Sequence, residues 1–494
     1  MPVRNFIDGK WVDASSEKKF FSLNPADTRQ IVAEAPLSLR DDVDRAVTSA
    51  REAFPAWRSL PAPRRGEILF RAGELLLREK RKLGELVTRE MGKVLGEGLG
   101  DVQEAIDMAF YMAGEGRRMQ GETVPSELPD KDCKSFREPH GVVALITPWN
   151  FPTAIPAWKI CAALICGNTV VLKPSSDTPA SAAALVHILE EAGVPAGVLN
   201  MVCGSGADVG EYLATHQGID AVSFTGSCAA GERLEGLLGR MHRPLATEMG
   251  GKNAIIVMDD ADLSLALEGV LWGAFGTSGQ RCTAASRVVV HEKVYEAFTE
   301  MLARAAAGLR LGDGLLETTD MGPIINEQQY KRVLDYIRIG IDEGALLVAG
   351  GRPVTAGECA HGFFIEPTVF ANVTPTMRIA QEEIFGPVLS AIRCSGLDEA
   401  IRIVNGVPFG LSSAIYSRNV NTTARAEHDL KSGIVYINAS TIGAEIQLPF
   451  GGWRHSGSGH PEAGGRGGAL DFYSRIKVVY RDYSGRLQKA QIDK

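Results

Sequence analysis

Val142-Val143-Ala144-Leu145-Ile146-Thr147-Pro148-Trp149-Asn150 is a short apolar run, rich in β-branched residues, that stops in a polar turn. Such a run reads as a strand. Thr169–Leu172, Val198–Val202 and Ala221–Phe224 repeat the pattern, separated by stretches of helical character such as Ser181–Glu191. Strands alternating with helices at this spacing predict βαβ units in a parallel sheet, so the fold class is α/β. Polar or glycine-containing clusters follow three of the runs: Thr147-Pro148-Trp149-Asn150, Lys173-Pro174-Ser175-Ser176 and Thr225-Gly226-Ser227. In an open α/β sheet ligands bind beyond the carboxyl ends of the strands, so these clusters should converge on one crevice.

Upstream, Asp8-Gly9 lies between two apolar-containing runs of Asn5–Val12 and predicts a hairpin with a type I′ turn. From Asp41 to about Gly116 the apolar residues recur at three and four, predicting three helices broken at Pro61/Pro63 and near Gly96–Gly100. Gly121–Pro139 is polar and reads as an extended excursion. Downstream of Gly250-Gly251 a second alternation begins with Ala254–Met258, Arg287–His291 and a helical Glu292–Leu309. The tail carries a short apolar strand, Lys477–Tyr480, with no partner nearby in sequence; such an edge needs covering, and another subunit is one way to cover it.

The 494 residues predict two to four domains. With 45% apolar and 23% charged residues the composition is that of a soluble globular protein. A formal charge of -8 and no Lys/Arg block argue against nucleic acid as a partner. No signal peptide and no run of about 18 apolar residues is present, so no membrane partner is expected. The eight cysteines show no CxxC pairs, which argues against zinc and against a disulfide framework; a reducing, cytoplasmic setting and no metal are the expectation.

One cysteine stands out. Gly276-Thr277-Ser278-Gly279-Gln280-Arg281-Cys282-Thr283-Ala284 puts a thiol in a glycine-rich turn beside a cation. A reactive thiol needs exposure and positive potential, which Arg281 and the turn amides can supply; the alternative is a small hydrophobe in a loop. The domain-spanning position of this turn, away from the first crevice, predicts a site between two units. Other residues leave similar choices open. Gly226 and Ser227 at a strand-to-helix junction suit a phosphate or simply a tight turn; Lys173 suits a ribose or is a solvated strand end; Asn150 is an amide donor for an oxyanion or an Asx turn. Glu248, before Met249-Gly250-Gly251-Lys252, is a general base or an ordinary charge, and Glu382-Glu383 are functional carboxylates or the acidic start of a helix.

Taken in order, Trp149-Asn150-Phe151-Pro152, Lys173-Pro174-Ser175, Phe224-Thr225-Gly226-Ser227, Glu248-Met249-Gly250-Gly251-Lys252, Gly279-Gln280-Arg281-Cys282, Glu382-Glu383-Ile384-Phe385-Gly386-Pro387 and Pro449-Phe450-Gly451-Gly452 resemble the aldehyde dehydrogenase superfamily. The resemblance spans nearly the whole chain. It implies a Rossmann-like cofactor domain (1–120 and 140–250), an α/β catalytic domain (251–450) and a β oligomerisation arm (121–139 and 468–494) serving a homodimer or homotetramer. It also implies NAD- or NADP-dependent oxidation of a small-molecule aldehyde to an acid. The implied roles are Cys282 as nucleophile, Asn150 with the Cys282 N–H as oxyanion hole, Glu248 as base, and Lys159 with Glu462 as a proton relay. Lys173 and Glu383 would hold the cofactor riboses, Ser227 the pyrophosphate, and Phe385 the nicotinamide ribose, with Trp149, Ser175, Ser176, Gly226 and Gly250 lining that site.

The chain departs from the family pattern in places. Met249 replaces the usual leucine, a volume-conserving change. Ser176 stands where many NAD-preferring members carry a glutamate, so NADP should be admitted. Gly459-His460-Pro461-Glu462 has one residue more before the glutamate than many members do, which puts the role of Glu462 in question. Arg281, with Thr441, Gly443 and Ala444, resembles members acting on aldehydes with a distal carboxylate, such as aminoadipate-semialdehyde dehydrogenase; a guanidinium and backbone N–H groups suit that anion, and the alternative is that Arg281 braces the loop. The competing functions are a CoA-acylating member, against which Glu248 speaks, and a catalytically silent binding or structural homologue, which would need none of Cys282, Glu248 and Asn150.

Overall fold

A computed structural model describes residues 1–492. Its first seven-stranded sheet has the order Leu245–Glu248, Ala221–Thr225, Val142–Ile146, Thr169–Lys173, Leu199–Met201, Asn5–Ile7, Lys10–Val12. The first five strands are parallel, as the alternation predicts, and nearly every residue in them is buried. The chain winds outward from Val142–Ile146 on one side, then returns to its other flank with Ala221–Thr225. The carboxyl ends of those two strands therefore mark the point where strand order reverses, the place a crevice opens in such sheets. The amino-terminal hairpin adds the antiparallel edge, and its turn residues Asp8 and Gly9 both have positive φ (53° and 69°), as a type I′ turn requires.

Of the three expected helices, Arg40–Ser59 packs on this sheet, while Ala62–Met91 and Leu95–Glu115 pack on each other and on the crossover helix Ala154–Cys166. The second break falls at Gly92, whose φ of 95° ends the helix in the left-handed region, and not at Gly96–Gly100, which lie in the opening turns of the third helix. The glycines there serve close packing instead: a Cβ at Gly98 would lie 2.6 Å from the Gly84 carbonyl oxygen and 2.7 Å from Thr88 Oγ1 of the neighbouring helix.

The second seven-stranded sheet runs Leu346–Ala349, Thr368–Ala371, Val388–Cys394, Ala285–His291, Asn253–Val257, Ser412–Tyr416, Ile434–Ile437. All of its pairings are parallel except the first. A third, three-stranded sheet joins Thr123–Pro125, Lys131–Pro139 and Ser474–Asp482. The tail strand thus finds its partner in the distant excursion, in register from Ser474 against Pro139 to Asp482 against Lys131. Its outer edge carries no further strand among the described residues, and Ile476, Val478 and Tyr480 stand exposed along one face. No helix among the described residues is long and apolar enough to cross a membrane.

Candidate active site

The helix Leu263–Phe275 ends at Gly276, and the chain then passes through three successive left-handed residues, Thr277 (φ 52°), Ser278 (56°) and Gly279 (69°), before reaching Cys282. For two non-glycine residues this is costly backbone, and it persists because the surroundings over-determine it. The Thr277 N–H donates to Glu97 Oε1 at 2.7 Å, Ser278 Oγ to the Gly322 carbonyl at 2.7 Å, and Gln280 Nε2 to the Thr277 and Pro323 carbonyls at 3.2 Å each. Asn253 Nδ2 holds the Cys282 carbonyl at 2.7 Å. Gly279 presses against the loop after Glu383: a Cβ there would sit 2.3 Å from the Gly386 carbonyl oxygen.

The positive potential expected from Arg281 is not delivered to the sulfur. Arg281 Nη2 pairs with Glu97 at 3.1 Å and its Nε donates to Thr277 Oγ1 at 2.9 Å, while its guanidinium lies over the rings of Trp272 and Phe151. Burial holds the Cys282 thiol above its usual range, and Glu248, Glu462 and Glu383 push the same way. Sequence adjacency suggested a cation aimed at the thiol; a helix nearly two hundred positions away redirects it. The thiol consequently needs a base to remove its proton.

Glu248 lines one cavity together with Cys282. It ends the strand Leu245–Glu248, is buried, accepts from the Gly452 N–H at 3.0 Å through Oε2, and leaves Oε1 without a hydrogen-bond partner. The Pro449-Phe450-Gly451-Gly452 motif supplies that donor and the room: a Cβ at Gly451 would crowd Oε1 at 3.1 Å. Burial, and next the neighbouring Glu462, hold the Glu248 carboxyl well above the usual carboxylate range.

Glu462, questioned because of the extra residue before it, lies in contact with Lys159, the other residue expected in the relay. Its Oε1 accepts from both Lys159 Nζ and Thr225 Oγ1, and Lys159 also donates to Ser223 Oγ at 2.6 Å. All of these groups are buried. The irregular segment between Trp453–Arg454 and the helix Ala469–Phe472 absorbs the added residue.

Two adjoining cavities share Cys282 as part of their walls. The first, about 650 Å³ and open to solvent, is lined by Trp149, Asn150, Gly226, Ser227, Gly250, Glu383 and Phe385. Ser227, in this lining, caps the helix Cys228–Gly239 by accepting from the Ala230 N–H, so that helix begins at the cavity wall, which suits a phosphate. Asn150 is buried with its Oδ1 unpartnered, so an Asx turn is not what holds it. Glu383 accepts from the Gly251 N–H at 3.1 Å and lies against Gly250, where a Cβ would be 2.0 Å from Oε1. Glu382 and Glu383 follow the short helix Arg378–Gln381; they do not open a helix. Phe385 has φ 60° and meets the Trp149 ring edge-on at 5.4 Å.

Lys173, Ser175 and Ser176 lie further along the same sheet edge, outside the lining of that cavity. Lys173 is not a solvated strand end: it is buried, and desolvation lowers its pKa to about 8. Ser176 Oγ donates to the Gly204 carbonyl at 3.0 Å. Gly204 and Lys173 belong to neighbouring strand ends, so this is the flank on which a ribose would lie. An unpartnered amide, a carboxylate seated on glycine and a helix amino terminus along one crevice fit a dinucleotide.

The second cavity, about 560 Å³, is lined by Arg281, Gly443, Ala444, Glu248 and Glu462 together with Glu104, Phe151, Trp158 and Phe450. Thr441 is fully buried and outside this lining; its carbonyl accepts from Ser412 Oγ at 2.8 Å and so fixes the segment that presents Gly443 and Ala444. Sequence reasoning did not single out Glu104, Trp158, Gln329 or Arg332. Gln329 Nε2 holds the Ile384 and Phe385 carbonyls at 2.9 Å each and Arg332 holds that of Glu383 at 2.7 Å, securing the loop with the strained Phe385. Spaced three apart on one helix, they carry no motif a sequence could show.

The chain was compared with known families and structures. Residues 11–479 match the aldehyde dehydrogenase family. The chain is 44% identical over 478 residues to alpha-ketoglutaric semialdehyde dehydrogenase of Bacillus subtilis (strain 168), covering 96% of this chain and 97% of that one. It is 41% identical over 476 residues to 2,5-dioxopentanoate dehydrogenase of Saccharolobus solfataricus, covering 96% and 98%. The structure of betaine aldehyde dehydrogenase from Staphylococcus aureus in complex with NAD+ superposes with a TM-score of 0.95 at 33% identity, covering 98% of this chain and 95% of that one. A thiol shared between a dinucleotide-shaped crevice and a cavity holding a base, met by sequence similarity along almost the whole chain, has one consistent meaning: the protein belongs to the aldehyde dehydrogenase family and is an oxidoreductase that oxidises aldehydes with NAD or NADP.

Proposed function

We propose that this enzyme converts an aldehyde bearing a distal carboxylate, a semialdehyde, into the corresponding acid through a covalent Cys282 thioester that water then hydrolyses. The observation that carries the reading is the position of Cys282 in the wall of both cavities. A carbon bonded to that sulfur faces the dinucleotide crevice on one side and Glu248 with Arg281 on the other.

Glu248 takes the thiol proton, and the sulfur adds to the carbonyl carbon; the C–S bond forms as the carbonyl π pair moves onto oxygen. The Asn150 amide and the Cys282 N–H stabilise that oxygen, a contribution of about 3–4 kcal/mol for one such donor. When bound, the nicotinamide supplies the acceptor for the hydride that leaves this carbon. Once the first proton has passed from Glu248 to the Glu462–Lys159 pair, the carboxylate draws a proton from water as the water oxygen attacks the thioester, the C–S bond breaks, and the sulfur departs as thiolate. Glu462 and Lys159 carry the proton onward from Glu248. Lys173 and Glu383 hold the riboses, with Ser175 and Ser176 beside the first, and Ser227 and Gly226 meet the pyrophosphate. Gly250 leaves space for Glu383, and Trp149 and Phe385 border the nicotinamide ribose. Arg281 and the backbone at Gly443 and Ala444, braced through Thr441, receive the substrate carboxylate.

The Bacillus subtilis relative, named for alpha-ketoglutaric semialdehyde, supports the substrate class, as does the guanidinium in the cavity wall. Ser176, uncharged, leaves NADP admissible beside NAD. Residues 1–120 with 140–250 form the cofactor unit, 251–450 the catalytic unit, and 121–139 with 468–494, the last two of which lie outside the described residues, an arm whose exposed apolar face at Ile476, Val478 and Tyr480 suits a homodimer or homotetramer. Hydrolysis rather than transfer to CoA follows from Glu248. Steady-state assays of aliphatic, aromatic and ω-carboxylate aldehydes with both cofactors test the substrate class: kcat/KM should be highest for the ω-carboxylate series, and equal values across the panel refute it. Cys282→Ala should abolish turnover while retaining cofactor binding; near-wild-type turnover would remove the nucleophile assignment.

A further inference from the structure

The helix Leu95–Glu115 puts Glu104 in the wall of the second cavity, and charged side chains of this helix and of the loop before it lie behind the wall residues Arg281 and Phe151. Lys93 pairs with Asp101 at 3.1 Å, both side chains fully buried, and Arg281 pairs with Glu97 at 3.1 Å. Each cation already has its anion. Glu104 faces the same cavity, and no described residue donates a hydrogen bond to it or forms an ion pair with it. With the four paired charges summing to zero, the protonation of Glu104 decides whether this end of the cavity is neutral or negative.

We propose that Glu104 is a specificity-determining residue: protonated, it admits a carboxylate-bearing aldehyde and can donate a hydrogen bond to it; ionised, it excludes that aldehyde. This rests on the semialdehyde reading above. The groups that act on Glu104 come from every side. Asp101 and Asp107 on its own helix oppose its ionisation, while Arg281 from the nucleophile loop and Lys93 from the preceding loop favour it; Tyr436, on the strand Ile434–Ile437, feels its charge. Cys282, Glu248 and Glu462 share the cavity. Burial is the largest influence and, with Asp101, holds the Glu104 carboxyl up to about 8. The switch therefore falls in a range where the enzyme can be assayed. Glu104 is half-buried, and a like charge in a cavity wall with reduced access to water repels an incoming carboxylate more than it would in bulk water.

The test is the ratio of kcat/KM for succinate semialdehyde to that for butanal, measured from pH 6.5 to 9.5 on the full-length enzyme and on Glu104→Gln. The ratio cancels the titrations of Cys282 and Glu248, which both substrates share. In the wild type it should fall above pH 8 by up to about tenfold per pH unit; in Glu104→Gln it should stay high and flat. A flat wild-type ratio, or the same fall in Glu104→Gln, overturns the proposal, as does a 4-aminobutanal rate that falls rather than rises as Glu104 ionises. If Glu104→Gln does not fold, Glu104→Leu should likewise lose the pH dependence, and a retained fall in that variant overturns it. Butanal preferred at every pH in both proteins would sink the semialdehyde reading itself, whereas succinate semialdehyde preferred with an unmoving ratio would sink only the role of Glu104.

Discussion

Gly250→Ala should cripple cofactor binding without altering the fold. Gly250 has no positive φ, so alanine meets no backbone penalty, and the whole effect comes from the methyl group. Its Cβ would lie 2.0 and 2.1 Å from the two Glu383 carboxylate oxygens and 2.2 Å from Cδ, a contact no side chain tolerates. The carboxylate must withdraw by more than about 1 Å to reach ordinary van der Waals distance. It then loses the Gly251 N–H bond, now 3.1 Å, and its place beside the cofactor ribose. A hydrogen bond to a charged group contributes about 1.5–3 kcal/mol, which converts to a rise of roughly 10- to 150-fold in the cofactor dissociation constant. Isothermal titration with NAD+ and NADP+ reads this directly, and circular dichroism checks the fold. The same substitution in a Glu383→Ala background should cost almost nothing, because the clashing group is gone; this non-additivity separates the contact from general damage. A dissociation constant within twofold of wild type for Gly250→Ala would refute the placement of Glu383.

Three further outcomes follow from other residues. Ser176→Glu should weaken NADP+ roughly tenfold or more while changing NAD+ little, because a carboxylate would face the 2′-phosphate; equal effects on the two would contradict the placement. Lys173, with its folded pKa lowered to about 8, loses its charge as pH rises through 8, so cofactor affinity should decline above that pH, and more steeply for NADP+ than for NAD+. The sign for stability is opposite: the buried ammonium is penalised below pH 8, and the penalty is relieved between 8 and the unfolded value of 10.5, so that Lys173→Met should flatten this rise in urea midpoints. Asp101→Asn would leave Lys93 buried and uncompensated and weaken the 2.6 Å bond from the Ala154 N–H. A loss of about 3–5 kcal/mol in denaturant-measured stability is expected, and an unchanged midpoint would show the pair is not the strut it looks to be.

The strands were legible because burial demands uninterrupted apolar runs, and Val142–Ile146 came through with unchanged bounds. Asn150 drew notice as the polar end of the turn after Val142–Ile146, Glu248 as a strand-end carboxylate before a glycine pair, and Cys282 as a thiol in a glycine-rich turn that leads into Ala285–His291. Contacts set by distant helices were hidden. Glu97 and Glu104 look like the wet side of an amphipathic helix, yet one fixes the nucleophile loop and the other lines the aldehyde cavity. The direction of Arg281 depends on Glu97, and a linear reading sees only its neighbour Cys282. Gly96–Gly100 misled for the related reason that glycine can mark either a stop or a close crossing, and only the adjacent Gly84 decides between them.

The double engagement of Arg281 constrains how this enzyme can change over time. One guanidinium lines the second cavity and, through Thr277 and Glu97, tethers the twisted segment that leads to the sulfur. Mutational searches for new substrates at position 281 would therefore disturb turnover along with preference. Divergence should proceed instead through neighbours such as Ala444 and Phe450, which line the second cavity without anchoring that segment.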